Sequence, residues 1–226
     1  MQEGFIELLR SNLEHAKIFQ DRFDSVQDSQ EPDFVTVCCS DSRVLQDHMW
    51  GNEHPGHVFT CSNIGNRVFQ DTGSGLEVSG DVLYPVEHTG TETIVVVGHT
   101  GCGAVTAAYR DIRDGLEEPE GIDHCISLLE DRLEDGVEKL PEELEENEAV
   151  NRLVEYNVDR QVEFLCKSKD IPEEVDVVGV VYDFQDVYSG SRGEVHVINI
   201  KGENDSAELK DSHPEIQDRV QRLWSP

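Results

Sequence analysis

Residues 93–103 read Thr93-Ile94-Val95-Val96-Val97-Gly98-His99-Thr100-Gly101-Cys102-Gly103. Five β-branched residues run together and stop at a glycine, the signature of a short buried strand. The stretch that follows, Ala104 to Arg113, reads as a helix. A buried strand feeding a tight loop and then a helix is the repeating unit of a parallel sheet. Phe34 to Cys38 and Val175 to Val181 have the same apolar character, and Val58 to Cys61 is a shorter run of the kind.

Working outward, Val150, Leu153, Val154, Val158, Val162 and Leu165 form a helical stripe, and residues 125–135 also look helical. Gly73, Gly75 and Gly80 mark a loop before a helix expected over about 76–89, in which Pro85 predicts a kink or an early stop. The acidic run Glu142 to Glu148 is expected on a solvated helical face. Ser189-Gly190-Ser191-Arg192-Gly193 reads as a turn, after which Glu194 to Ile200 alternates as an exposed strand. The last two strands should therefore form an antiparallel hairpin. A final helix is expected over 213–224.

Residues 2 to about 30 read as one or two amphipathic helices, with Phe5, Leu8, Leu9, Leu13, Ile18, Phe19 and Phe23 near helical spacing. That stripe can pack on its own chain or on a partner subunit. No repeat, linker or low-complexity segment interrupts the pattern. The expected fold is α/β: a mostly parallel four- to five-stranded sheet flanked by helices, in one domain over 1–226, with a helical arm at 1–30 and a core at 31–226.

The 226 residues contain 18 Lys plus Arg against 48 Asp plus Glu, a net charge of −30. A field of that sign repels nucleic acid and anionic membrane surfaces. Self-repulsion of this size is relieved by salt, so the composition points to a high-salt, halophilic cytoplasm. No apolar run is long enough to cross a membrane. The first 30 residues lack a signal-peptide pattern, which predicts a reducing, cytoplasmic location. There the six cysteines are more often ligands, nucleophiles or core residues than disulfide partners.

Chemistry concentrates in two segments, Cys39-Ser40-Asp41-Ser42-Arg43 and His99-Thr100-Gly101-Cys102-Gly103. Each begins where an apolar strand ends, and ligands of open parallel sheets bind beyond the carboxyl ends of strands. If those strands are parallel neighbours, Cys39 comes close to His99 and Cys102. Two thiolates and one imidazole suit Zn2+, and three protein ligands leave a position open, as in catalytic sites. A centre neutralised by two thiolates acidifies water less than a tris-histidine centre does, so further help is needed. Asp41, kept ionised by Arg43, can supply it by accepting a hydrogen bond from the nucleophile. An Asp–Arg pair that only shapes the loop is the alternative. His48, His54 and His57 read as solvent-facing loop histidines, a second metal site being the rival reading. Cys38 points to the face opposite Cys39, and with Cys61, Cys125 and Cys166 it is expected in the core.

The paired Cys-x-Asp-x-Arg and His-x-x-Cys segments resemble those of the β-class carbonic anhydrases. The likeness runs from about 30 to 200. It takes in Asn63-Ile64-Gly65-Asn66, similar to the family's Asn-Ala-Gly-Asn stretch, and Glu155-Tyr156-Asn157-Val158. The resemblance implies one zinc per chain on Cys39, His99 and Cys102, and reversible hydration of carbon dioxide to bicarbonate and a proton. It implies Asp41 as catalytic partner oriented by Arg43, with Asp41 a fourth metal ligand only in a closed form. The backbone at Gly103 would lie beside the substrate, with a homodimer or homotetramer as the working unit and Asp71 and Tyr84 as possible lining positions. Thr36, Ser62 and Tyr182 stand where some members carry a Trp, an Arg and a Tyr around a regulatory bicarbonate. Only the Tyr remains, which argues against that pocket. Two rival functions fit the same scaffold: a non-catalytic zinc protein, and a hydrolase of carbon disulfide or carbonyl sulfide. A thiol-redox protein using Cys38 and Cys39 is the third rival.

Overall fold

A computed structural model describes residues 3–224. Its centre is a five-stranded sheet in the order β2-β1-β5-β6-β7. The strands are β1 (Phe34–Cys39), β2 (Val58–Asn63), β5 (Thr93–His99), β6 (Asp176–Asp183) and β7 (Glu194–Ile200). The first four are mutually parallel, and β7 joins β6 as the antiparallel hairpin expected from the turn residues. Register places Cys39 beside Asn63 and His99 beside Tyr182, so β1, β2, β5 and β6 end along one edge.

The helices are α1 (Glu3–Phe19), α2 (Gln46–Met49), α3 (Gly80–Thr89), α4 (Gly103–Asp114), α5 (Glu120–Glu138), α6 (Glu146–Lys167) and α7 (Ser206–Ser212). The main core joins Val35, Val37, Ile94, Val96 and Val177 of the sheet to Val105, Leu129, Leu133, Leu153 and Val158 of α4, α5 and α6. The opposite face is thinner. Cys38, Val44, Val97 and Val180 are buried there, but Val95, Val178, Val195 and Val197 are only half-covered.

Helix α6 carries the stripe read from the sequence and nests on glycines. A Cβ at Gly98 would stand 2.7 Å from Val158, and one at Gly179 would meet the same residue at 2.7 Å. In α3 the chain runs through Pro85 to Thr89 instead of stopping. The proline cannot serve the Asp81 carbonyl four residues back, and the Cys61 thiol donates to that oxygen at 3.3 Å instead.

Several boundaries differ from expectation. Residues 76–78 do not belong to the helix: they form β4 (Leu76–Val78), paired with β3 (Phe69–Asp71) in a small hairpin. Helix α5 starts earlier than expected and ends later. Glu142 to Glu145 lie in turns before α6, not on a helical face, because Pro141 breaks the chain and Leu144 folds onto the core. Strand β7 is far more buried than its alternation suggested. The segment 213–224 is not one helix. A 3-10 turn over Pro214–Arg219 leads to Val220, which bridges Val197 of β7. The tail then docks on α6. Buried Glu155 accepts the backbone N–H groups of Leu223 at 2.8 Å and Trp224 at 2.7 Å, and also the Tyr188 hydroxyl.

No residue of α1 is buried, and Phe5, Leu8, Leu9, Leu13 and Ile18 are all exposed. The arm thus forms as a helix without covering its apolar stripe on its own chain.

Candidate metal centre

Two strand ends and one helix start build the site. Cys39 is the last residue of β1, His99 the last of β5, and Cys102 caps the start of α4 three residues on. The turn between His99 and Cys102 is held from three sides. The Thr100 N–H donates to the Tyr182 carbonyl at 3.1 Å, the Thr100 hydroxyl donates to Asp183 at 3.2 Å, and the Gly101 N–H donates to the Asn151 side chain at 2.8 Å. Gly101 has a φ of +61°, and a Cβ there would stand 2.5 Å from the Gln185 amide, so both backbone and space demand glycine.

The ligand atoms of Cys39, His99 and Cys102 lie within 4.8 Å of one another, and all three residues are buried. The two sulfurs are 3.9 Å apart. Two thiolates bound tetrahedrally to zinc at ~2.3 Å would be about 3.8 Å apart, so this spacing fits. The His99 Nδ1 lies 3.0 Å from the Thr100 carbonyl, which can only accept. Nδ1 must therefore carry the proton, leaving the Nε2 lone pair free. That Nε2 is buried and has no hydrogen-bond partner, the condition expected of an atom meant for a cation. No other group of three His, Cys, Asp or Glu side chains among the described residues has such a geometry, so His48, His54 and His57 do not form a second one.

The sulfurs are prepared unequally. The Cys102 thiol, His99 and the Gly65 N–H bring the Cys39 thiol down to about 4. Its hydrogen bond to Cys39 and full burial push Cys102 well up, although the first N–H groups of α4, at Ala104 and Val105, oppose this. One proton leaves readily, and the second is the one a binding cation displaces. Cys38 behaves differently: burial pushes its thiol up to about 12, and it packs with Val44, Val97 and Val180 on the other face of the sheet. Cys61 is likewise buried, but Cys125 is only half-buried and Cys166 is exposed, contrary to expectation.

Asp41 and Arg43 form the pair read from their spacing. The Arg43 Nε donates to Oδ1 at 2.9 Å, and the Arg43 terminal nitrogen donates to Oδ2 at 2.6 Å. The Arg43 N–H also reaches Oδ1, and the guanidinium bonds the Gly101 carbonyl at 3.0 Å, tying the two ligand loops together. Hydrogen bonds from Arg43 hold the Asp41 carboxyl at about 2. Its Oδ2 lies 3.8 Å from His99 Nε2, directly beside the ligand set. Gly103 opens α4, next to Cys102.

The other sequence candidates sit apart from this cluster. Asp71 accepts a hydrogen bond from Gly73 in the β3–β4 hairpin, and exposed Tyr84 leans on Phe59 and His88 from α3. Ser62 pairs with Ser40, and Thr36 is buried. Sequence reasoning missed Asn151, Asp183 and Phe184. Asp183 ends β6 and Phe184 begins the loop after it; β6 is a third apolar strand ending at the same edge, and that rule of position could have found them.

The fold and the site define an α/β protein with a buried Cys, His, Cys cluster able to hold a metal ion at the carboxyl edge of its sheet. A family model described as carbonic anhydrase matches residues 34–191, and the chain belongs to that family, in its β class. Over 138 residues it is 35% identical to a carbonic anhydrase of Emericella nidulans, covering 60% of this chain and 56% of the relative. Over 104 residues it is 28% identical to a carbonic anhydrase of Helicobacter pylori, covering 45% and 47%. The chain thus spans about half the length of the curated relatives it matches. A solved structure of a tetrameric β-carbonic anhydrase from Sordaria macrospora superposes with a TM-score of 0.73 at 25% identity, covering 88% of this chain and 98% of that one.

Proposed function

We propose that this chain is a zinc-dependent carbonate dehydratase, interconverting carbon dioxide with bicarbonate and a proton. The observation that carries the reading is the lone pair of His99 Nε2 facing two close sulfurs, with an ionised Asp41 oxygen 3.8 Å away. Cys39, His99 and Cys102 would hold one Zn2+ per chain, and the ion would supply the Lewis acidity that makes water a nucleophile at neutral pH. Asp41 accepts a hydrogen bond from that nucleophile at Oδ2 and so aims it. Hydrogen bonds from Arg43 hold the Asp41 carboxyl down at about 2, which suits it to accepting a hydrogen bond at neutral pH. Arg43 fixes the carboxylate from both oxygens. The N-terminal end of α4, which begins at Gly103, suits the negative charge that grows on the substrate.

The Asp41–Arg43 bonding supports an open resting site, since Asp41 could become a fourth ligand only by giving up part of its hold on Arg43. The uncovered stripe of α1 and the half-covered sheet face support a homodimer or homotetramer, in keeping with the tetrameric Sordaria relative. We take 1–226 as one catalytic domain of a halophilic, cytoplasmic enzyme. No helix among the described residues is long and apolar enough to cross a membrane.

The test is metal analysis joined to stopped-flow carbon dioxide hydration across pH in concentrated salt. One zinc per chain with turnover is expected, and Cys102→Ala should lose both. Stoichiometric zinc without hydration at any pH would favour a non-catalytic zinc protein. Hydrolysis of carbon disulfide or carbonyl sulfide in place of hydration would favour the other rival. Stability should rise steeply with salt, and equal stability in dilute buffer would overturn the halophilic reading.

A further inference from the structure

The loop after β6 carries an aromatic ring to the centre of the site. Phe184 stacks on the His99 imidazole, with centroids 5.7 Å apart and planes 25° apart. The Arg43 guanidinium lies over the same ring at 4.6 Å. One ring therefore backs both a proposed metal ligand and the arginine that orients Asp41. The loop that presents it is built for rigidity. Asp183 is buried, and its carboxylate accepts the N–H groups of Gln185 at 3.0 Å, Val187 at 2.8 Å and Tyr188 at 2.9 Å. Further along, the Gln221 side chain brackets Ser189, accepting from its hydroxyl at 2.6 Å and donating to its carbonyl at 2.7 Å.

The arginine needs such support. Its side chain is 49% exposed, and exposed ion pairs contribute only ~0–1 kcal/mol because water competes for both partners. A ring over one face of the guanidinium removes water from that face and adds a cation–π attraction. It also confines the guanidinium to the plane from which it reaches Asp41 and Gly101 together.

We propose that Phe184 is a positioning residue: its ring clamps the Arg43 guanidinium against Asp41 and so fixes the carboxylate that aims the nucleophile. This rests on the carbonic anhydrase reading of the site. It requires an aromatic face at position 184, not merely apolar bulk.

The experiment compares Phe184→Leu with Phe184→Tyr in the zinc-loaded protein. The first readout is the solvent-exchange rate of the Arg43 Nε proton by NMR. Losing about 1 kcal/mol of cation–π attraction should speed that exchange roughly fivefold in the leucine variant, with the tyrosine variant close to wild type. The second is steady-state kinetics, where kcat should fall by about the same factor in Phe184→Leu at unchanged KM, and recover in Phe184→Tyr. Zinc should stay at one per chain throughout. Wild-type exchange and kcat in Phe184→Leu would overturn the clamp. So would zinc loss in step with kcat, because the ring would then serve only the ligand or the fold. If the leucine variant does not fold, Phe184→Met takes its place under the same criteria. Should the wild-type protein fail to hydrate carbon dioxide, the functional reading falls, while the exchange rates still decide whether the ring holds Arg43.

Discussion

Two carboxylate–guanidinium assemblies in this molecule use the same chemistry to opposite ends. Asp41 and Arg43 are two residues apart on one loop, and the arginine is half in solvent. Asp159 and Arg222 are 63 residues apart, joined at 2.6 Å, with Arg222 side chain only 7% exposed and Glu155 next to it at 0%. Around Arg222 the partners are many. It also donates to the Ile198 carbonyl, Asp159 accepts from Asn199, and Glu155 takes the tail N–H groups. A dry assembly of many partners fastens distant parts of the chain. A wet one, held on one side and open on the other, keeps an oxygen available for chemistry.

The comparison is broken most severely at Arg222. Arg222→Met would leave two buried carboxylates without their cation, a loss of ~3–5 kcal/mol. At this chain length that is a fall of about 10 °C in Tm, to be read by calorimetry at pH 7 in high salt. A melt within a degree or two of wild type would mean that the tail is not the fastening described. Asp41→Asn gives the reciprocal result. Zinc should be retained and Tm should stay near wild type, while kcat falls about 100-fold, in the range typical of a lost proton-handling group. Stopped-flow rates and metal content decide it; full activity would remove Asp41 from its role.

A carboxylate with no cation sharpens the contrast. Glu130 of α5 faces Asp111 of α4, with Asp123 and Asp131 nearby, and burial with these neighbours pushes its carboxyl up to about 7. The folded chain therefore holds a proton that the unfolded chain releases between about 4.5 and 7. Stability contributed by Glu130 falls as pH rises through that window. Glu130→Gln should then stabilise the protein above pH 7 and do nothing near pH 4. Solvent screening of this half-exposed pair limits the gain to ~1 kcal/mol, or about 2–4 °C in Tm. An equal gain at both pH values would show that charge is not the cause.

These two assemblies also differ in how far the sequence reveals them. The convergence of Cys39, His99 and Cys102, with the Asp–Arg pair beside them, was legible because each segment begins where an apolar strand ends, and strand ends converge by rule. The sheet was legible from β-branched runs, and α6 from its stripe. The tail was not, because its shape depends on Glu155, nearly 70 residues away, and on a bridge from Val220 to β7. No local pattern over 213–224 records that contact, and β7 looked exposed for the same reason. The acidic run Glu142 to Glu148 is helical only in its second half, where exposed Glu146 and Glu148 open α6; charge alone carries no period that could place the boundary. Cys166 was expected inside, but the residue beside it, Leu165, occupies the inward stripe and turns the sulfur outward.

The glycines of β5 and β6 bear on any attempt to redesign this protein. Val158 fills the room that side chains at Gly98 and Gly179 would need, and β5 ends at His99 one residue beyond Gly98. A methyl group at position 98 would wedge helix from sheet and lift the imidazole away from its sulfur neighbours. A mutagenesis library confined to the loop crest would miss the position that sets the height of that crest, and one that included it should find glycine returned in nearly every working clone.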